Sequence, residues 1–81
     1  TPLFYACDKG NENIVKYLIK HGADINKKAG TGEAPLHMAC GSGNITIVKY
    51  LIKLGANINQ PNNDLCTPIF YACKNGNIDI V

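Results

Sequence analysis

The chain has 81 residues, 46% of them hydrophobic, and a formal net charge of +2. A domain this small builds one core that by itself leaves only a few kcal/mol of net stability, so something besides core size must organise it. The aliphatic content excludes a disordered tail, the weak charge argues against a strongly basic nucleic-acid binder, and no apolar run approaches the ~18 residues of a membrane span: the longest, at 47–52, is broken by Lys49.

In chain order, the first predicted element is a short helix opened by Thr1 and Pro2, a hydroxyl that caps free N–H groups followed by a residue suited to the first helical turn. Leu3, Ala6 and Cys7 share one face, and Gly10 ends the helix where a left-handed conformation is needed. Asn11 then caps a second helix, in which Ile14, Val15, Leu18 and Ile19 form the apolar stripe, Lys16 and Lys20 point outward, and Gly22 is the stop. Ala23 to Asn26 lead into a polar segment, Lys27 to Glu33, with the composition of a turn or extended finger.

From Ala34 the same order begins again. Residues 1–33 align with 34–66 at a period of about 33, about half of the paired positions are identical, and Ile14 to Lys20 match Ile47 to Lys53 residue for residue. A third copy, 67–81, opens with Thr67 and Pro68, carries Gly76 and the cap Asn77, and stops at Val81 inside a second helix. Neighbouring repeats of a longer chain are therefore expected. The predicted helices have roughly 8 to 10 residues, short of the ~12–15 at which an isolated helix becomes even marginally stable, so each unit must rely on the next to cover its apolar face.

The segments Thr1-Pro2-Leu3, Ala6-Cys7, Gly10-Asn11, Ile14 to Lys20 and Gly22-Ala23-Asp24-Ile25-Asn26, with their second copies, closely resemble the ankyrin repeat, and the likeness covers the whole chain. It implies an all-α solenoid of antiparallel helix pairs linked by β-hairpin-like fingers, with units at 1–33, 34–66 and a partial 67–81. It also implies that another protein docks on the concave face made by first helices and fingers. In the family, a threonine hydroxyl and a histidine ring at the start of the unit join in one hydrogen-bond network. Here Phe4 and Phe70 replace the histidine, and Ala34 replaces the threonine beside His37, so no copy keeps both. The finger-turn glycine is matched by Gly32 and replaced by Leu65, which leaves the turn of the second finger open.

No enzymatic constellation, cofactor site or metal site is expected. His21 aligns with Leu54 and His37 with phenylalanines, no close Cys or His pair has zinc-ligand spacing, and the glycines at 30–32 and 41–43 do not continue into a phosphate loop. Cys7, Cys40 and Cys73 recur at one spacing beside Ala6, Ala39 and Ala72, which reads as small-residue packing in a reducing cytoplasm. Asn44-Ile45-Thr46 fits a glycosylation acceptor but aligns as a helix cap.

The expected partner-binding positions are those that differ between copies while the scaffold repeats: Tyr5, Asp8, Lys9, Met38, Gly41, Ser42, Tyr71, Lys74 and Asn75 on first helices, and Thr31, Glu33, Asn63, Asp64 and Cys66 on fingers. Tyr5 and Tyr71 are anchors on this reading, with inter-repeat packing the alternative role. The competing function is weak electrostatic binding of nucleic acid by Lys16, Lys20, Lys49 and Lys53, for which a solvated outer face is the simpler account; no membrane partner is expected.

Ala34 stands where both other copies carry a threonine cap. Ala34→Thr should raise the stability of the middle unit by about 1 kcal/mol, since one more helix N–H gains an acceptor. An equal or lower denaturant midpoint for the variant would contradict that geometry.

Overall fold

The computed structural model describes residues 2–74, with Lys74 as backbone alone. The Thr1 cap, Asn75, Gly76 and the second helix expected from Asn77 lie outside the described residues. Five helices are described, in the order α1 Pro2–Lys9, α2 Glu12–Lys20, α3 Pro35–Ser42, α4 Ile45–Lys53 and α5 Pro68–Lys74. The described residues are all helix and connection, with no strand among them.

Local chemistry sets the helix boundaries. α1, α3 and α5 each begin at a proline, whose missing N–H would go unused in the first turn anyway. Asn11 and Asn44 cap α2 and α4 with side-chain oxygens that accept from the N–H of Ile14 and Ile47, both at 3.1 Å. Between the helices of each pair the chain reverses at Gly10 and Gly43, with φ of 72° and 77°. That reversal folds α2 back on α1 and α4 back on α3.

The helices form two layers. α3 packs between α1 and α5 in one, and α2 lies beside α4 in the other. Leu3, Ala6, Cys7, Val15, Leu36, Ala39, Cys40, Ile47, Val48, Leu51 and Ala72 make a single continuous core. Each fully buried leucine or isoleucine contributes ~1.5–3 kcal/mol. Equivalent residues are not equally covered: Ile47 is 1% exposed because the first helix pair lies against it, whereas Ile14, one period earlier and expected in the apolar stripe, is 47% exposed. Cys73 departs from expectation in the same way. Cys7 and Cys40 are buried where α2 and α4 pack on α1 and α3, whereas Cys73 is exposed on α5, which among the described helices packs mainly on α3.

The fingers take the form of tight hydrogen-bonded turns. In the first, Ala29 N–H donates to Glu33 O (2.8 Å) and Gly32 N–H to Ala29 O (2.9 Å); in the second, Asn62 N–H donates to Cys66 O (2.9 Å) and Leu65 N–H to Asn62 O (3.0 Å). The second finger therefore turns as the first does, despite the loss of glycine. Leu65 reaches this by adopting φ of 65°, the left-handed conformation that Gly32 holds at 90°. For a residue with a Cβ that conformation costs ~1–2 kcal/mol.

Leu65 is 82% exposed and so loses little burial on truncation. Leu65→Gly should stabilise the fold by roughly 0.5–1 kcal/mol, the relief of backbone strain outweighing the extra freedom glycine gains when unfolded. A thermal melt in which the variant is less stable than the parent would show that the leucine side chain makes a contribution larger than its strain.

Candidate functional site

The fingers and first helices meet along one edge of the helix layers. Asn63 of the second finger donates its backbone N–H to Thr31 O (3.0 Å) and its side-chain amide to Gly30 O (3.2 Å), joining one finger to the other. Gly32 lies in the contact, where an added Cβ would stand 2.6 Å from Asn63 Oδ1 and 2.7 Å from its backbone nitrogen.

Beneath the fingers sits a polar network centred on Asn62. Its amide donates to Glu33 Oε2 (2.9 Å) and to the Tyr71 hydroxyl oxygen (2.8 Å), and Tyr71 in turn donates to Glu33 Oε2 (2.9 Å). Asn62 Oδ1 accepts from the N–H groups of Asp64 and Cys66, both at 2.9 Å, so one buried amide holds its own finger, the preceding finger and α5. Thr31 adds a hydroxyl hydrogen bond to Glu33. That bond first, then those from Tyr71 and Asn62, hold the Glu33 carboxyl below its ordinary range against the opposing pull of partial desolvation. Burial and then the Glu33 carboxylate push the Tyr71 phenol above its usual value.

His37 completes the connection. Its Nδ1 accepts from Ala34 N–H and its Nε2 lies 3.0 Å from Cys66 O, which makes Nε2 the donor to the carbonyl of the second finger. The histidine thus ties the start of α3 to that finger without the threonine hydroxyl, and its ring meets Tyr71 edge-on at 5.3 Å. The family network expected to be incomplete keeps its histidine half, because a backbone N–H does what the missing hydroxyl was expected to do.

The remaining expected positions fall into distinct environments. Tyr5, Asp8 and Lys9 are exposed on α1, with Tyr5 held edge-on to Phe4 at 5.8 Å. On α3, Met38 packs half-buried against the core, Gly41 is half-buried, and Ser42 is exposed with its hydroxyl bonded to Ala39 O. Thr31, Asn63 and Asp64 are exposed on the fingers, while Glu33, Cys66 and Tyr71 are half-buried and bonded within the network. The Lys74 side chain and Asn75 lie outside the described residues. Asn62 was not among the expected positions. Its signal was present, since a polar residue stands there opposite Ala29 of the first copy.

No described group of three or more His, Cys, Asp and Glu side chains converges as metal ligands. Burial pushes the Cys7 thiol up to about 12 and the Cys40 thiol up to about 11, so both stay protonated at neutral pH and serve as small apolar groups. On the other layer Lys16, Lys20, Lys49 and Lys53 are all exposed, Lys16 lies 5.8 Å from the Tyr50 ring centre, and the Tyr17 ring lies tilted against His21 with centres 4.3 Å apart.

Paired short helices, capped alike, layered side by side and joined through stacked turns, define a helical repeat protein. The family model described as "Ankyrin repeats (many copies)" matches residues 3–52 and 36–81. The chain belongs to the ankyrin repeat family. It is 49% identical over 35 residues to an ankyrin repeat protein of Rickettsia bellii (strain RML369-C), a match covering 43% of this chain and 21% of that protein. Members of the family are generally protein-interaction modules and generally not enzymes. Among the described residues no helix is long and apolar enough to cross a membrane.

The network predicts an acid-sensitive fold. Because Glu33 is held below its unfolded value, the unfolded chain binds the extra proton between the two values and stability rises with pH there. The contribution is complete above about 4.3, the unfolded carboxylate value, and lost as pH falls through the lower folded one. Glu33→Gln should therefore flatten the pH dependence of the denaturant midpoint below about 4.5. An unchanged slope in that range would mean that the carboxylate is not engaged in solution.

Proposed function

We propose that the chain is a protein-binding ankyrin repeat module of the cytoplasm, with units at 1–33, 34–66 and 67–81, that engages another protein through the face formed by first helices and fingers. One observation carries this reading. Tyr5, Asp8, Lys9, Ser42, Thr31, Asn63 and Asp64 are exposed, lie on α1, α3 and the fingers, and differ between units whose buried residues repeat. Packing holds the shared residues constant and leaves these free to be read by a partner. Lys74 and Asn75 extend the set on sequence grounds. Glu33, Cys66, Met38 and Gly41 support the face from beneath, and Tyr71 acts through the Asn62 network, which makes Tyr5 the better aromatic anchor.

The second reading, electrostatic binding of nucleic acid by the outer layer, is supported by the exposed lysines of α2 and α4, with the rings of Tyr17 and His21 exposed on α2 and at its C-cap. Affinity of that kind falls steeply with salt.

Partners captured on the chain at moderate salt, with nuclease present, separate the two. Reversal of charge at Lys9 and Lys74 should weaken binding of a captured protein by at least about fivefold, and reversal at Lys16 and Lys49 should leave it within about twofold, the fold being checked by circular dichroism. The opposite ranking, or loss of capture on nuclease treatment, would move the site to the outer layer.

A further inference from the structure

The two fingers share one build. Each is closed by the same pair of backbone hydrogen bonds, and residues 32 and 65 occupy the same left-handed turn position, with φ of 90° and 65°. They differ in what that position carries. Gly32 is buried where the second finger docks, and a Cβ there would stand 2.7 Å from the backbone nitrogen of Asn63 and 3.1 Å from the carbonyl carbon of Asn62. Those are backbone atoms, which cannot swing away as a flexible side chain would. The absence of a side chain at residue 32 is thus the condition for the bonds from Asn63 to Thr31 O and Gly30 O.

Leu65 has the side chain that this docking forbids, and it projects from the outer side of the second finger, 82% exposed. A further finger applied to the second by the same step would bring its own backbone against the Leu65 Cβ at a separation no van der Waals contact permits. We infer that Leu65 ends the in-register stacking of fingers, so that the second finger accepts no further finger of this build and keeps an open outer edge formed by Asn63, Asp64 and Leu65. The helices are not subject to this stop, because α1, α3 and α5 pack through Ala6, Ala39, Ala72 and their neighbours, away from the turn. The inference goes beyond the proposed function and holds whatever protein binds.

Amide hydrogen exchange tests it, with the Asn63 N–H as reporter of finger docking. In the chain as it stands, Gly32→Leu should lower protection at Asn63 by roughly tenfold while the amides of α3 and α4 keep theirs. Gly22→Ala is the control, since Gly22 has φ of 96° and a Cβ there would meet nothing within 4 Å; it imposes similar strain without the contact and should leave Asn63 unmoved. A second copy of residues 34–66 inserted after Cys66 then examines the stop itself. The Asn63 amide of the inserted copy should exchange freely, and Leu65→Gly in the preceding copy should protect it by roughly tenfold. Equal protection of both Asn63 amides with Leu65 in place would overturn the inference, as would failure of Leu65→Gly to restore protection, or an Asn63 amide already open in the parent chain. If the lengthened chain does not protect its helix amides, the Gly32→Leu result decides alone, retained protection at Asn63 counting against the proposal.

Discussion

None of the described helices is longer than nine residues, and the five of them would unravel as separate peptides, because the first hydrogen-bonded turn costs more than so few residues recover. Burial between neighbouring helix pairs is what makes them persist. Leu36, Ile47, Leu51 and Val15 reach full burial only because one pair lies against the next, and the same residue types are left exposed where no described pair covers them, as at Ile14 and Ile69. Helix, layer and finger are therefore consequences of one contact. Removing a neighbour removes the reason for the helix.

Apolar contact alone would leave the units free to slide, since one leucine surface accepts another in several registers. Polar side chains fix the register. The Asn44 amide caps α4 with its oxygen and donates from its nitrogen to Gly10 O of the preceding pair at 3.1 Å, so a local cap is also a link between units. His37 bonds forward to Cys66 O, and Asn62 binds back to Glu33 and onward to Tyr71. No buried side-chain nitrogen or oxygen among the described residues is without a partner. In a buried setting these links add modest net stability, but a misregistered stack would leave each of those groups unpaired at a cost of ~1–3 kcal/mol.

The helices were legible in the sequence because their signals are local. Pro2, Pro35 and Pro68 mark starts, Asn11 and Asn44 caps, Gly10 and Gly43 reversals, and the apolar stripe in Ile47, Val48 and Leu51 has the period of a helix face. What was not legible depends on residues far apart in the chain. The shared turn of the second finger could not be read from Leu65, because glycine's absence says that the left-handed conformation is costly there and not that it is refused. Burial at Ile14 differs from that of Ile47 for a reason outside its own unit, namely which neighbours lie against it. Asn62 is not legible in its own segment because its role needs Glu33 and Tyr71, 29 and 9 residues away, to be placed beside it.

The positions that vary between copies fall into two environments in the structure, bonded across a unit boundary or exposed. Positions that vary can be those a partner reads, but they can also be those at which one unit pair is coupled differently from the next. Glu33, Asn62 and Tyr71 vary from their counterparts Cys66, Ala29 and Met38, and they touch one another across the boundary, so their differences answer to each other. Tyr5, Asp8, Lys9, Ser42, Asn63 and Asp64 vary while exposed. For Asn63 even that division is incomplete, because its backbone and amide hold the first finger while its outer side faces solvent. The backbone bond from Asn63 to Thr31, 3.0 Å long, lies directly beneath that exposed side. Change at Asn63 therefore bears on how the fingers stack as well as on the surface they present, whereas Asp8 and Lys9 of α1 are exposed and stand outside the finger hydrogen bonds.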